Sequence, residues 1–462
     1  VRHETRTGGT IGAVDEHAHP PIGNNFVNNN VNMRWEFQIV VTMCLGYAML
    51  MMCRTVVGVA GPAMLLDPEL HLDTASFGAI LGWGTAGNLT GKLTNGIIAD
   101  KFGGTKIFIS AVALAAITTI IFGTLSSNTA FFAFYFLTIF AKSAGWPSMA
   151  NIIRVWFTHA KHGRVWGFVA TSSRISSVAT TLLISSLLLV MTWRGLFFTA
   201  GVIALAGAII LPKYLKNSWQ ASGELSEESE KTVDEVTAWV NAHPLNEVDA
   251  LGAILVFIKS SQFWLISLGI SSLAVLFEFQ LFIPIYLSET FSLVPAHAGI
   301  TSAAFPLGCL IAVFTAGFVY DRLSSKNIIY VFGATLVVAI LCLLSLRFLG
   351  TIEWDADLEL ILTIGLIFLF GFAISPSYYI PMSVFSINFG GKHCGLLVGL
   401  IDAFGYAGAM AFDFIGGEVA NKEGGWQDFI SILIVTSFIS AVIMVTFLYI
   451  DYAKSTIKNA QE

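Results

Sequence analysis

Charge is scarce in this chain: Asp, Glu, Lys and Arg make up 12% of its 462 residues, against 55% hydrophobic. A soluble globular domain carries about 25% charged residues, so the shortfall names lipid as the main solvent. Cysteine is scarce too. Cys44, Cys53, Cys309, Cys342 and Cys394 lie in or beside apolar runs without the spacing of metal ligands, and read as small core residues. No run of Lys and Arg interleaved with aromatics offers a nucleic-acid surface. No glycine-rich phosphate loop occurs, and the few His residues make no nucleophile–base array with Ser or Cys. An enzyme is not expected, nor is any cofactor.

What the chain does have is apolar length, with a mean hydropathy of +0.75. About twelve stretches are long enough to span a bilayer, near 36–60, 76–99, 106–126, 129–155, 164–190, 195–213, 260–287, 297–320, 327–348, 358–386, 393–417 and 428–450. The expected fold is an all-α integral membrane protein, its twelve transmembrane helices forming two pseudo-symmetric six-helix bundles at 35–217 and 259–452. Residues 1–34 and 453–462 read as tails, the first of them disordered. Residues 218–258 read as a hydrophilic linker with a capping-box helix opened by Thr232 and a short amphipathic piece at Leu251–Ile258. No signal-peptide pattern precedes the first span, which is expected to act as its own insertion signal.

Charge placement sets an orientation. Loops after even-numbered spans hold Lys101, Lys106, Arg154, Lys161, Arg164, Lys213, Lys216, Arg322, Lys326 and Lys392. Loops after odd-numbered spans hold Asp67, Glu69, Asp73, Glu289, Glu353, Asp355, Asp357, Glu359 and Glu423, with Arg194 and Lys422 as the main basic exceptions. The positive-inside rule then puts both termini and the linker in the cytoplasm, or its equivalent in an organelle.

An internal repeat supports two halves. Gly96 is followed by Asp100, Lys101, Gly103 and Gly104 at the end of span two, and Gly317 by Asp321 and Arg322 at the end of span eight. The glycine admits a neighbouring helix, and the Asp can meet a helix N-terminus or a basic partner, so the motif suits a cytoplasmic latch between rocking bundles. It resembles the loop motif of the major facilitator superfamily.

Four cations fall mid-span in the first half: Arg54, Lys92, Lys142 and Arg174. Together they cost about 10–14 kcal/mol on insertion scales, so each is a functional candidate. A cavity of focused positive potential follows, with a small anion as its occupant. Arg54 and Arg174 suit a carboxylate or phosphate through their planar forks, with Lys92 and Lys142 as supporting point charges. The second half buries Glu278, Asp402 and Asp413 instead. Asp402, Tyr406 and Asp413 share one helical face. These acids either pair with the first-half cations to hold a closed state, or bind a proton or a substrate amine. Ser375-Pro376 in span ten is expected to break its helix.

Spans one to five, with parts of span eleven, resemble the organophosphate antiporters of that superfamily, the glycerol-3-phosphate and glucose-6-phosphate transporters. The residues carrying the likeness are Gly46-Tyr47 with Arg54 and Pro62, Lys92 before Asp100, Gly145-Trp146-Pro147, Trp156-Phe157 with Gly163, Phe404-Gly405-Tyr406 and Gly425-Trp426. The resemblance implies a phosphate grip at Arg54 and a cavity lined by Tyr47, Asn88, Trp146 and Tyr406. Three departures stand out. Thr55-Val56 replace the family's Lys-Asn after Arg54, helix seven offers Glu278 where the family has a cation, and Lys142 stands where Gln is usual. The expected partners are a small anionic substrate and the lipid bilayer, with the chain a monomer or a subunit of a larger membrane complex. A secondary transporter of a small organic anion, a proton-coupled organic anion symporter and a transport-inactive subunit or receptor all remain open at this point.

Overall fold

The computed structural model describes the backbone of residues 23–157, 159–215, 245, 248–320, 322–323, 325–349, 351 and 355–461. Side chains are described from Trp35 to Ala453 within those ranges, except at 100, 159–164, 317, 318, 320, 325, 387, 388 and 392. Every regular element among them is helical. In chain order these are α1 (Gly23–Leu65), α2 (Thr74–Phe102), α3 (Gly104–Phe122), α4 (Asn128–Ser143), α5 (Gly145–Trp156), α6 (His159–Leu187) and α7 (Trp193–Tyr214). They are followed by α8 (Ala250–Lys259), α9 (Ser261–Phe291), α10 (Pro295–Ser302), α11 (Ala304–Tyr320), α12 (Ser325–Leu349), α13 (Ala356–Gly390), α14 (Cys394–Ala420) and α15 (Gly425–Gln461).

Twelve spans result, because α4 with α5 makes the fourth and α10 with α11 the eighth. Their breaks at Ala144 and Ala303 each precede a proline in the first turn of the next helix, Pro147 and Pro306. Proline fits there because that amide has no intrahelical acceptor. Asn95 of α2 braces the first break, donating to the Phe140 carbonyl at 2.9 Å and to Ser143 Oγ at 2.7 Å. Among the described residues nine helical stretches are long and apolar enough to cross a membrane. The three spans below that threshold, α2, α4–α5 and α6, are those that carry Lys92, Lys142 and Arg174. In α6 the hydroxyls of Ser172, Ser173, Ser176, Thr180 and Thr181 fold back onto carbonyls one turn earlier, which lets a polar helix lie in a dry interior.

Several boundaries differ from the sequence reading. Helix α1 begins at Gly23, inside the segment expected to be a disordered tail, and α15 continues to Gln461 through the expected C-terminal tail. Helix α13 runs unbroken through Pro376 and Pro381, so Ser375-Pro376 is no break. Helix α8 matches the short piece expected near Leu251, whereas the capping-box helix at Thr232 lies outside the described residues, as do residues 1–22.

Glycine contacts reveal how the halves meet. On the face of α2 turned to α14, a Cβ on Gly78 would sit 2.5 Å from Gly417 Cα, and one on Gly82 would sit 2.6 Å from the Phe414 ring. At the same end Gly58 of α1 packs on Leu281 of α9, and Gly299 of α10 packs on Ser185 of α6. Farther along, Gly96 lies on that same face of α2, and Gly395 and Gly399 on the facing side of α14, yet a Cβ on any of them would meet no atom of another helix within 4 Å among the described residues. The two halves therefore touch at one end, where the backbones meet, and splay at the other.

Hydrogen bonds fasten the touching end. Thr74 Oγ1 donates to Glu289 at 3.0 Å and Asn421 Nδ2 donates to Asp73 at 3.1 Å, both across the halves. Within each half an indole at the start of the last span donates to an acid at the end of the first: Trp193 Nε1 to Asp67 at 2.8 Å, and Trp426 Nε1 to Glu289 at 2.8 Å. The Trp193 indole holds the Asp67 carboxyl below the usual carboxylate range.

Inserting bulk where the backbones touch costs about 1–3 kcal/mol. Gly78→Val is therefore expected to lower the thermal unfolding temperature of the purified protein, while Gly96→Ala leaves it unchanged or slightly higher. Equal stabilities for the two variants would contradict the seal.

Candidate functional site

The four cations of the first half converge midway between the sealed and splayed ends, and two of them find acids across the interface. Arg54 Nη2 on α1 lies 3.5 Å from Glu278 Oε2 on α9, a contact without hydrogen-bond geometry, since that oxygen is buried without a hydrogen-bond partner. Lys92 Nζ on α2 lies 2.6 Å from Asp402 Oδ2 on α14 and 5.7 Å from the centre of the Tyr406 ring. Both pairs join the first half to the second. Of the two readings left open for the buried acids, pairing with first-half cations is the one the structure shows for Glu278 and Asp402, which come from the facing bundle.

Lys142 and Arg174 differ. Lys142 is buried at the end of α4, within electrostatic reach of Arg54, Lys92, Glu278 and Asp402. Arg174 on α6 stacks its guanidinium 3.8 Å from the centre of the Tyr379 ring on α13, a cation–π contact that also crosses the halves. Among the described residues neither cation lies within 4 Å of a carboxylate.

Beside Arg54 a small cavity of about 20 Å³, room for about one water, opens between α1, α6, α9 and α10. Its polar lining is Arg54, Thr55, Thr181, Gln280 and Ser302, and Met51, Val59, Leu281 and Pro284 supply apolar wall. That is far below the roughly 300–1,000 Å³ of small-molecule sites, so a ligand of that class fits only after these helices move apart. Gln280 Nε2 also donates across to Ser177 Oγ at 3.4 Å.

The remaining expected residues fall into three places. Tyr47 is buried against Gly145 with its ring edge-on to Trp146 at 5.4 Å, and Trp146 meets Trp166 at 5.1 Å. Asn88 is buried one turn from Lys92, its Oδ1 without a partner among the described residues. Asp413 stands apart from the cation cluster toward the sealed end, where Thr85 Oγ1 lies 2.6 Å from its Oδ2. Of the loop motif, a Cβ on Gly96 would meet no neighbouring helix among the described residues, and Gly103 has a φ of +91° that only glycine adopts readily. Lys101 and Arg322 are exposed. The Asp100 side chain and Asp321 lie outside the described residues.

Sequence reasoning missed Gln280, Trp166 and the Tyr378-Tyr379 pair, whose rings meet at 4.8 Å and pack with Phe277. Two adjacent tyrosines in a span otherwise almost free of hydrogen-bonding aromatics were the available signal. The Trp193 and Trp426 indole bonds were missed as well.

Comparison with known proteins places this geometry. The profile of the Major Facilitator Superfamily matches residues 43–412 and 280–462. A probable hexose phosphate transport protein of Chlamydia trachomatis serovar D is 25% identical, covering 88% of this chain and 90% of that protein. The membrane sensor protein UhpC of Escherichia coli K12 is 24% identical over 90% of this chain and 92% of its own length. Among solved structures, a bacterial homolog of the human lysosomal transporter Spinster, inward-facing and unoccupied, superposes with a TM-score of 0.69. It covers 90% of this chain and 97% of that one at 14% identity, which speaks to the fold.

Removing one member of a buried ion pair costs about 3–5 kcal/mol, whereas replacing both with apolar groups is close to neutral. Asp402→Leu and Lys92→Met should each lower the unfolding temperature clearly, and the double variant should recover most of the loss. A double variant as unstable as the sum of the two single ones would deny the pairing.

Proposed function

The chain belongs to the Major Facilitator Superfamily, and from that premise we propose that it is a secondary transporter of a small phosphorylated metabolite, working by alternating access and not as an enzyme. The charge balance at the centre carries the reading. Four cations face two carboxylates, which leaves an excess of two positive charges. A phosphate monoester brings about −1.5 to −2 at neutral pH, and would neutralise that excess.

The pairs differ in how readily they give way. Arg54 offers a planar fork held only loosely by Glu278, so a bidentate phosphate displaces that acid. Lys92 stays with Asp402 and, with Lys142, adds field. Thr181, Gln280 and Ser302 provide hydrogen bonds for hydroxyls of the organic part. Because Glu278 belongs to the other half, its release loosens one tie between the bundles as the ligand enters, which links binding to rocking. The curated relatives named for hexose phosphate and glycerol-3-phosphate transport support this substrate class. The basic loops lie at the splayed end and the acidic loops at the sealed end, which supports an inward-open state with both termini cytoplasmic.

A sensor that binds such a ligand without moving it is the second reading, favoured by the near full-length likeness to UhpC. Purified protein in liposomes loaded with inorganic phosphate decides between them. Labelled glucose 6-phosphate or glycerol 3-phosphate should enter by exchange, and Arg54→Gln combined with Glu278→Gln, which spares the fold an orphaned acid, should cut uptake about 10- to 100-fold, the worth of a charge-assisted hydrogen bond. Unchanged uptake in that variant refutes the site. Ligand-induced thermal stabilisation with no uptake by the unaltered protein favours the sensor.

A further inference from the structure

Asp413 is the buried acid that the transport site leaves unused. Its side chain is 0% exposed, on the face of α14 that meets α2. Thr85 Oγ1, 2.6 Å from Oδ2, is its one hydrogen-bond partner, and Oδ1 is buried with none among the described residues. No cation lies within 4 Å of it among those residues. One turn away the α2 and α14 backbones are in contact at Gly78 and Gly417, and Phe414 fills the space over Gly82, so no room is left for a hydrated ion. The charged groups that face it are Glu278 on α9 and Arg54 on α1, which oppose each other. The Tyr135 phenol on α4 is also in range, α2 presents Thr85, and no charged group of α13 or α15 among the described residues acts on it.

A carboxylate here would have one donor for two oxygens and, among the described residues, no cation within 4 Å. A neutral acid fits. Its O–H on Oδ2 donates to Thr85 Oγ1, and Oδ1 remains as a carbonyl oxygen, the polar atom least costly to leave bare. We propose that Asp413 is a proton-binding site, and that the seal between α2 and α14 closes over its neutral acid form.

The seal cannot open without parting Gly78 from Gly417, and that parting brings water to Asp413. There the carboxylate is solvated and the proton leaves to water, so opening and deprotonation are one event. The sign follows from linkage: the closed seal binds the proton more tightly, so lowering the pH favours closure and raising it favours opening. This holds whatever the substrate is. The other acid bonded across the α2–α14 seal, Asp73, is held below the ordinary carboxylate range by its hydrogen bonds from Ser76, and stays ionised over pH 5–9.

The test is a spin-label distance measured across the sealed end. Labels at Glu69 and Glu423, both exposed and on opposite halves, are placed in the full chain with its five cysteines replaced, in lipid nanodiscs, from pH 5 to pH 9. The open-to-closed ratio should rise with pH, by up to about tenfold per unit for one linked proton. Asp413→Asn keeps the shape and the bond to Thr85 without the charge, and should stay closed at every pH. Glu289→Gln, which alters a different hydrogen-bonded acid at that end, should keep the pH response. The proposal is overturned if the unaltered protein shows no pH response, if Asp413→Asn responds like it, or if the response vanishes in Glu289→Gln instead. It is also overturned if exchanging choline for sodium at fixed pH, and not pH itself, moves the distance.

Discussion

A charge held at bilayer depth must find its opposite inside the protein, and in this chain each half supplies one sign. Arg54, Lys92, Lys142 and Arg174 come from the first bundle; Glu278 and Asp402 come from the second. Neither half can neutralise its own interior. The pairs Arg54–Glu278 and Lys92–Asp402 therefore hold the bundles to each other at mid-depth, and pulling the bundles apart without a substitute strands charge in a medium that cannot solvate it. A negative ligand is such a substitute for the acids. The same division that binds the halves together thus makes their relative position sensitive to what occupies the space between them.

Around that electrostatic centre the rest of the interface is made of small residues. Gly78 and Gly417 bring α2 and α14 to backbone contact at one end, where Gly58 and Gly299 also admit Leu281 and Ser185 from the opposite halves. In a membrane, where apolar side chains gain little by leaving lipid, such close packing is the main attraction available between helices. It is a shallow and reversible attraction, suited to a seal that must open. The ties within each half are more polar, as in the indole–carboxylate bonds of Trp193 with Asp67 and Trp426 with Glu289. Each bundle is thus braced within itself at that end.

Much of this was legible because it is periodic. Span count follows from apolar length, and the 3.6-residue repeat puts Asp402, Tyr406 and Asp413 on one face, which the structure turns toward α2. The cations could be named because a charge in an apolar run is conspicuous. Their partners could not. Arg54 and Glu278 are joined only by the packing of α1 on α9, and nothing local to either residue encodes the other. The proline at 376 misled because a helix tolerates proline when its neighbours satisfy the freed carbonyl. The breaks at Ala144 and Ala303 went unread because their prolines lie three residues downstream, inside apolar runs. The indole bonds were hidden for another reason: tryptophan near a span end reads first as an interfacial anchor.

The two central pairs are unequal, and the inequality has direction. At 2.6 Å, Lys92 and Asp402 share a charge-assisted hydrogen bond; at 3.5 Å without hydrogen-bond geometry, Arg54 and Glu278 share mainly Coulomb attraction. An incoming anion gains most where the existing partner is poorest. It is drawn to the guanidinium, whose fork can meet two oxygens at once, and away from the ammonium, whose one strong bond is already made. Under the proposed function, the loose pair is where an anion enters, and the tight pair keeps spans two and eleven in register while the remaining contacts change.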